Sequence, residues 1–531
     1  MKPDISHVSA ETLKTYLHDG HEIALFDARE EVPFDRRHLL MASCVPLSRL
    51  ELLVDAMVPS DRTRVVWCDD GEGLAEHAAA RMSELGYSNV SVLEGGVSGW
   101  EAAGFPIYRG VHVPSKAFAE IVEHEAGTPW ITAPQLKALG DDNADFILLD
   151  SRTAAEFRGN SIPGAINVPG AELVLRFSDL VPSPDTTVVV HCGGRTRSII
   201  GAQSLIDAGF PNKIVSLKDG TQGWHLAGYD IVNGPSEAAM EVSAAGLEAA
   251  KQAAERVARR FDIGSIGQAA LEDMMKDPES RTTYLIDVRT VAEYETGHLD
   301  GAKHVAGGQL VQETERHLAV WGARVVLVDD NGVRATMTAS WLKRMGWDAV
   351  ALALEDCVGI GLVDGPYEGT VRGLQTQASD LLTPKDLSSL LEDGAVQVVD
   401  LDWSRLYSKR HIPGAWWAIR ARIAHAMKKM PSTARIVLTS SDGVLAALAL
   451  RDVRAVTDQP VFALSGGTEA WVASGLPTEE GLTRAACDVE DIRLRAREQA
   501  ENKEAAMRDY LAWEVGLYEQ LKRDDDHRIK L

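Results

Sequence analysis

At 531 residues the chain is too long for one hydrophobic core, and its 45% apolar and 25% charged residues are ordinary for a soluble globular protein. The formal net charge of −24 argues against a nucleic-acid partner, because nucleic acids are polyanions. No run of 18 apolar residues and no apolar N-terminal segment is present, so we expect neither a membrane span nor a secretory signal.

The first predicted element with a clear pattern is an apolar strand that ends in an aspartate, and it recurs along the chain. The four copies read ALFDAR, FILLDSR, TYLIDVR and VQVVDLD. The strand in each copy ends at Asp27, Asp150, Asp287 or Asp400, respectively. A second strand follows each of them and runs through a turn into a helix. Its loop position, 40 to 42 residues after the aspartate, holds Cys68, Cys192, Asp329 and Ser440.

A short strand and turn then close each copy 31 or 32 residues further on, as VLEGGVSGW, SLKDGTQGW, ALEDCVGIG and ALSGGTEAW. Such near-equal spacings indicate four tandem repeats. Each repeat alternates short Val/Ile/Leu-rich strands with helical stretches. This alternation predicts an α/β fold in which a mainly parallel sheet is flanked by helices.

An Ala/Glu-rich stretch with helical periodicity follows the second repeat, and a comparable stretch follows the fourth. We therefore interpret the chain as a duplicated two-domain module and expect both helical stretches to be linkers or packing struts. The expected boundaries are 1–110 for domain 1, 128–232 for domain 2, 235–261 for a helical linker, 262–366 for domain 3, 380–480 for domain 4 and 481–531 for a C-terminal helical segment.

The loop of domain 2, HCGGRTRS, carries the features of a reactive thiol. Cys192 lies between a strand and a helix, where unbonded backbone amides and the helix dipole stabilise a thiolate or a bound anion. Arg195 and Arg197 add positive charge that lowers the pKa of a thiol. Gly193 and Gly194 let the backbone wrap closely around an anion. An inert buried cysteine is the alternative, but glycine and arginine do not suit a core.

Two chemistries use a thiolate in such a loop, and the loop length separates them. Cysteine phosphatases place five residues between the cysteine and the arginine, whereas only four separate Cys192 from Arg197. The shorter loop favours attack on a sulfane sulfur over enclosure of a phosphate. A small-anion phosphatase or arsenate reductase is the weaker alternative.

Three segments of domain 2 resemble the rhodanese domain: the loop CGGRTRS, the preceding LLDSRTAAEFRGNSIPGAINVP and the closing SLKDGTQGW. The segment DVRTVAEYETGHLDGAKHV of domain 3 resembles it as well. The resemblance covers the chain except the helical stretches and linkers. It implies a persulfide mechanism without a cofactor or metal. A donor such as thiosulfate gives its outer sulfur to the thiolate, sulfite leaves, and the sulfur passes to cyanide or to a thiol, including a protein thiol.

Carried onto this sequence, the resemblance makes Cys192 the nucleophile. The anion cradle would be the backbone of Gly193, Gly194, Arg195, Thr196 and Arg197. Both arginines would assist an anionic donor, which favours thiosulfate, because relatives that use mercaptopyruvate carry an uncharged loop. Asp150 and Arg152 match the first motif and would position the loop, although Asn160 and Ser161 replace the usual Gly-His.

The other three loops depart from this pattern. Cys68 is followed by Asp69, Asp70 and Glu72, whose charges raise the pKa of a thiol and repel an anionic donor, so it is a possible second or relay site only. Asp329 and Ser440 cannot form a persulfide, and we expect domains 3 and 4 to be inactive.

We therefore predict a sulfurtransferase that uses Cys192. The alternative is a non-catalytic rhodanese-like scaffold or persulfide carrier, because three of the four loops are degenerate. The five cysteines are sparse and show no CxxC pair, which fits a reducing cytoplasm and no structural zinc site.

Overall fold

The computed structural model describes residues 5–234, 241–276, 281–357, 359, 361–367, 369–394, 396–498 and 502–531. The chain forms two compact units. Unit 1 comprises Met1–Leu13, Leu25–Val111 and Gly369–Arg493, and unit 2 comprises Lys14–Ala24, His112–Glu368 and Leu494–Leu531. Domain 1 is therefore grouped with domain 4, and domain 2 with domain 3, which differs from pairing consecutive domains within each half of the sequence.

Domain 1 has the strands β1 (Ser6–Val8), β2 (Ile23–Asp27), β3 (Ser43–Cys44), β4 (Arg64–Cys68) and β5 (Val90–Leu93). Its helices are α1 (Ala10–His18), α2 (Glu31–Arg36), α3 (Leu50–Met57), α4 (Leu74–Glu84) and α5 (Gly96–Ala102). The strand order is β1-β5-β4-β2, with β3 beside β2. Helix α6 (Val113–Glu125) follows domain 1 in the chain.

Domain 2 has the strands β6 (Trp130–Ile131), β7 (Phe146–Asp150), β8 (Ile166–Asn167), β9 (Thr187–His191) and β10 (Ile214–Leu217). Its helices are α7 (Ala133–Asp141), α8 (Ala154–Gly159), α9 (Glu172–Leu180), α10 (Thr196–Asp207) and α11 (Gly220–Leu226), followed by α12 (Ala244–Phe261). The strand order is β6-β10-β9-β7-β8, and these strands pair in parallel.

Domain 3 has the strands β11 (Thr283–Asp287), β12 (His298–Leu299), β13 (Lys303–His304), β14 (Val320–Trp321), β15 (Arg324–Asp329), β16 (Asp348–Ala353) and β17 (Leu362–Val363). Its helices are α13 (Gln268–Lys276), α14 (Val291–Thr296), α15 (Gly307–Gln312) and α16 (Val333–Arg344). The parallel strand order is β13-β11-β15-β16, and β12 pairs with β17.

Domain 4 has the strands β18 (Leu381–Leu382), β19 (Val396–Asp400), β20 (Trp416–Trp417), β21 (Arg435–Thr439) and β22 (Val461–Leu464). Its helices are α17 (Pro384–Glu392), α18 (Ser404–Lys409), α19 (Ile423–Ala426), α20 (Val444–Arg454) and α21 (Gly467–Ala473). The parallel strand order is β18-β22-β21-β19-β20. Helix α22 (Lys503–Leu521) lies near the C-terminus. The predicted fold class is confirmed.

The continuous apolar runs of the domain 2 strands are explained by burial on both faces of the sheet. Val188 and Val190 of β9 belong to one core cluster, which includes residues of α9, α10 and α12, whereas Val189 points to the other, which includes Leu136 of α7 and Trp224 of α11. Successive side chains of a strand alternate between its faces, so a sheet covered on both sides needs apolar residues at every position.

Helix α12 does more than link two domains, because its small residues complete a core. Ala250, Ala253, Ala254 and Val257 are buried in the same cluster as Val188 and Val190 of β9 and Met337 of domain 3. Within the ranges that the structure describes, no helix is long and apolar enough to cross a lipid bilayer.

Candidate active site around Cys192

Cys192 lies directly after β9, in the loop that leads into the N-terminus of α10. Asp150 of β7 and His191 of β9 are register partners, so the motifs that end these strands meet at one edge of the sheet. The thiol is 3% exposed and donates to Ser198 Oγ at 3.7 Å. The Ser198 hydroxyl in turn donates to the carbonyl oxygen of Arg195 at 2.6 Å, which ties the thiol to the first turn of the helix.

The closing turn of domain 2 holds this loop in place. The amides of Thr221 and Gln222 donate to the carbonyl oxygens of Cys192 and Gly193 at 2.9 and 3.2 Å. Gly220 has a φ of +52°, and a Cβ there would lie 2.3 Å from the Cys192 carbonyl oxygen, so only glycine fits this approach. The turn that closes this repeat therefore holds the Cys192 loop through backbone hydrogen bonds.

The backbone amides of the loop, unlike the carbonyl groups of Cys192 and Gly193, are open to bind an anion. In the part of the chain that the structure describes, no side-chain oxygen accepts a hydrogen bond from the amides of residues 193–197. Amides grouped at a helix N-terminus in this way can bind an anion.

Arg195, expected to assist an anionic donor, is held by carboxylates instead. Its Nε and Nη2 donate to the two carboxylate oxygens of Glu120 on α6 at 2.6 and 2.8 Å, and Nη2 also reaches Glu123 at 2.6 Å. The guanidinium is buried, as is Glu120. Burial alone would lower the pKa of Arg195, but the hydrogen bonds and charge of Glu120 raise it above its usual value.

Arg197 is also paired, and the charge of a Cys192 thiolate is among the causes that raise its pKa. Its Nη1 and Nη2 donate to Glu156 at 2.6 and 3.0 Å. Burial lowers the pKa of Arg197, and the charges of Glu156 and Cys192 raise it to a net value above the usual range. Of the two arginines, Arg197 is therefore the better candidate for stabilising a thiolate.

Asp150 and Arg152 form a buried pair beside the loop. Arg152 Nε and Nη2 donate to Asp150 at 2.9 and 2.6 Å, and the Arg152 Cδ lies 3.8 Å from the position of a Cβ added to Gly193. The altered turn contributes to this cluster, because Asn160 Oδ1 accepts from Arg152 at 2.8 Å and Ser161 Oγ donates to Asp150 at 2.9 Å. These contacts fix the Asp150 and Arg152 side chains beside the loop, and their positioning role stays a prediction.

Two helices outside the repeats supply contacts that the sequence analysis did not anticipate. Glu120 of α6 pairs with Arg195, and Glu514 of α22 accepts from Thr196 Oγ1 at 2.7 Å. The buried face of α22 consists of Met507, Leu511, Glu514, Leu517 and Leu521. A carboxylate within an apolar stripe of helical periodicity is the sequence signal that would have identified Glu514.

The loop of domain 1 differs chemically although it keeps a thiol. Cys68 is buried, and burial together with the charge of Asp27 raises its pKa well above the usual value. The Asp69 carboxylate accepts from the amides of Gly71 and Ala75 at 2.9 and 3.0 Å. An internal carboxylate thus binds the amides that would face a donor anion.

In the domain 3 loop, the residue at the nucleophile position, Asp329, binds the backbone amides in the same way. The Asp329 carboxylate accepts from the amides of Gly332, Arg334 and Ala335 at 2.5, 2.8 and 3.3 Å. The retained Arg334 bonds at 2.8 Å to both Glu172 of domain 2 and Glu293 of its own domain. In domain 4, the Ser440 hydroxyl accepts from the Ala446 amide at 3.3 Å, and Leu445 is buried in the core.

The fold and this loop define an α/β domain with a thiol at a strand-to-helix anion cradle. The rhodanese-like domain family matches residues 9–103, 132–227, 268–355 and 383–474. The chain therefore belongs to this family, which confirms the resemblance seen in the sequence.

A crystal structure of a thiosulfate sulfurtransferase from Pseudomonas aeruginosa is 45% identical, covers 99% of this chain and 100% of its own, and superposes with a TM-score of 0.95. The 3-mercaptopyruvate sulfurtransferase of Escherichia coli K12 is 28% identical over 31% of this chain and 64% of its own length. A probable adenylyltransferase/sulfurtransferase MoeZ of Mycobacterium tuberculosis is 33% identical over 18% of this chain. The match spans only 24% of the length of that relative.

Proposed function

We propose that the protein is a sulfurtransferase that forms a persulfide on Cys192, with thiosulfate or a similar anionic compound as its donor. One observation carries the proposal. Of the described loops at the four equivalent positions, the Cys192 loop alone combines a thiol with amides that no internal carboxylate binds. The 45% identity to a protein described as a thiosulfate sulfurtransferase supports thiosulfate as the donor.

In the first half-reaction the Cys192 thiolate attacks the outer sulfur of thiosulfate. The S–S bond of the donor breaks, its electron pair leaves with sulfite, and Cys192 carries the sulfur as a persulfide. In the second, cyanide or a thiolate attacks that outer sulfur, and the bond to Cys192 breaks with its electron pair returning to the thiolate. The amides at the N-terminus of α10 stabilise the negative charge in both steps.

The donor oxygens would bind to the backbone amides more than to the arginine side chains. Arg195 and Arg197 each pair with carboxylates, so their net contribution to binding a dianion is smaller than the sequence suggests. This weakens the argument from charge against mercaptopyruvate, and the two donors should be compared directly by kcat/KM.

The test is mass analysis of the Cys192 peptide after incubation with thiosulfate, followed by the turnover of thiosulfate with cyanide. We expect the peptide to gain one sulfur atom and then lose it to cyanide over many cycles. Sulfur that loads but is not turned over would favour a persulfide carrier. A Cys192 peptide that gains no sulfur from thiosulfate or from mercaptopyruvate would contradict the proposal. Cys68→Ala is the matched control, because it removes a thiol at the equivalent position.

A further inference from the structure

Helix α22 forms a wall of the Cys192 site, although it lies far from domain 2 in the sequence. A Cβ placed on Gly194 would lie 3.4 Å from each of Glu514 Oε2, Tyr510 Cε1 and Gln222 Nε2. Two of these three side chains belong to α22. The helix therefore contacts the anion cradle itself.

The helix is fastened to α6, which keeps this wall in position. The Lys116 ammonium lies 4.9 Å from the centre of the Trp513 ring and 5.3 Å from that of Tyr510. His124 stacks on Tyr518 with ring centres 4.2 Å apart. The same helix α6 holds Arg195 through Glu120, so both helices contact the catalytic loop.

Glu514 has a carboxylate oxygen that the protein does not satisfy. Its side chain is 1% exposed, and Oε1 accepts from Thr196. Oε2 is buried and has no hydrogen-bond partner among the described residues, and the same holds for Gln222 Oε1. Burying an acceptor without a donor costs free energy, so the unpaired oxygen calls for a partner that the protein itself does not supply.

We propose that Glu514 determines which sulfur acceptor the Cys192 persulfide serves: Oε2 accepts a hydrogen bond from a small thiol that is neutral or cationic, and its charge disfavours anionic thiols. This inference rests on the proposed function. An N–H or S–H group of the acceptor satisfies the unpaired oxygen, whereas an anionic group of the acceptor placed beside this carboxylate is repelled. Thiosulfate avoids that position, because its oxygens bind to the backbone amides at the N-terminus of α10. With Glu514 and Tyr510 this close to Gly194, we take the acceptor to be a small molecule.

Three thiols of similar size and different charge test this: cysteamine, 2-mercaptoethanol and 2-mercaptoethanesulfonate. Cys192 is first loaded with sulfur from thiosulfate and checked by mass, and the rate of persulfide loss is then measured with each thiol. For each thiol the E514Q rate is divided by the parent rate, which cancels the intrinsic reactivity of the thiol. We expect this ratio to be about 10-fold higher for mercaptoethanesulfonate than for cysteamine, as one charge-assisted interaction predicts.

The control variant is E519Q, which removes a charge from an exposed position of the same helix, and its three ratios should be equal. Should E514Q fail to fold, E514D keeps the charge and should preserve the order of the three thiols. Equal ratios in E514Q, within about twofold, would mean that Glu514 is structural and would overturn the inference alone. Absence of a persulfide in the parent protein would instead overturn the proposed function and this inference with it.

Discussion

The loops after β9 in domain 2 and after β15 in domain 3 share a backbone design but differ in what binds their amides. Both connect a buried strand to a helix and carry an arginine five residues after the nucleophile position, Arg197 and Arg334. In domain 3 the Asp329 carboxylate takes three amides of its own loop, and Arg334 bonds to Glu172. An anion cradle that contains its own anion becomes a structural element.

Domain 1 shows the same effect in a loop that keeps the thiol, because a carboxylate of that loop also binds its amides. Asp69, one residue after Cys68, accepts from the amides of Gly71 and Ala75. A thiol at the strand end is therefore not enough to define a site. What separates Cys192 from the other positions is the combination of a thiol, a neighbouring guanidinium and amides that no internal carboxylate binds.

The largest expected effect follows from removing the thiol of the domain 2 loop. We predict that Cys192→Ala lowers thiosulfate:cyanide transfer by at least about 1,000-fold, because loss of a covalent nucleophile costs orders of magnitude. Steady-state assays of purified variants measure this, and Cys68→Ala should retain the parent rate. Activity in Cys192→Ala above about a tenth of the parent value would show that a second site works.

The next largest effect concerns the buried ion pairs of one loop arginine in domain 2 and one in domain 3. Arg334→Met leaves Glu172 and Glu293 without their partner, and Arg195→Met does the same to Glu120 and Glu123. Removing one member of a buried ion pair costs about 3–5 kcal/mol, so we expect both variants to unfold at lower denaturant concentration.

Activity separates the same two variants. Arg334→Met should keep the parent kcat/KM under conditions where it is folded, because Arg334 belongs to a closed loop. Arg195→Met should lose activity through displacement of the cradle. A stable Arg195→Met protein with a selectively raised KM for thiosulfate would instead mean that Arg195 binds the donor.

Arg197 tests how far a guanidinium assists the thiol directly. We predict that Arg197→Ala lowers kcat/KM for thiosulfate by an amount equivalent to about 1.5–3 kcal/mol, the value of a charge-assisted hydrogen bond. An unchanged dependence of the rate on thiosulfate would show that Glu156 fully neutralises Arg197.

The smallest effect concerns the thiol of domain 1. Burial and the charge of Asp27 raise the pKa of Cys68, so its thiol stays neutral near pH 7. We predict that iodoacetamide labels Cys68 much more slowly than Cys192 across a pH series and that Cys68 gains no sulfur. Rapid labelling below pH 7, or a persulfide on Cys68, would establish a working relay site.

The sequence by itself determined the four α/β repeats, because apolar strands, turns and helices repeat at local spacings that each domain must satisfy alone. It also placed Cys192 at the junction of β9 and α10, since hydrophobic periodicity changes there within a few residues. From Asp329 and Ser440 the sequence also predicts that domains 3 and 4 are inactive, and from Asp69 that Cys68 is at most a second site. These stay predictions.

Tertiary structure alone decided how the arginines and the helical segments are used. Glu120 and Arg195 are 75 residues apart, and Thr196 and Glu514 are 318 residues apart. No local spacing encodes such pairs, because they depend on how separate helices pack against domain 2. The grouping of domain 1 with domain 4, and of domain 2 with domain 3, has the same origin: complementary buried surfaces and ion pairs such as Arg334 with Glu172 select partners regardless of chain order.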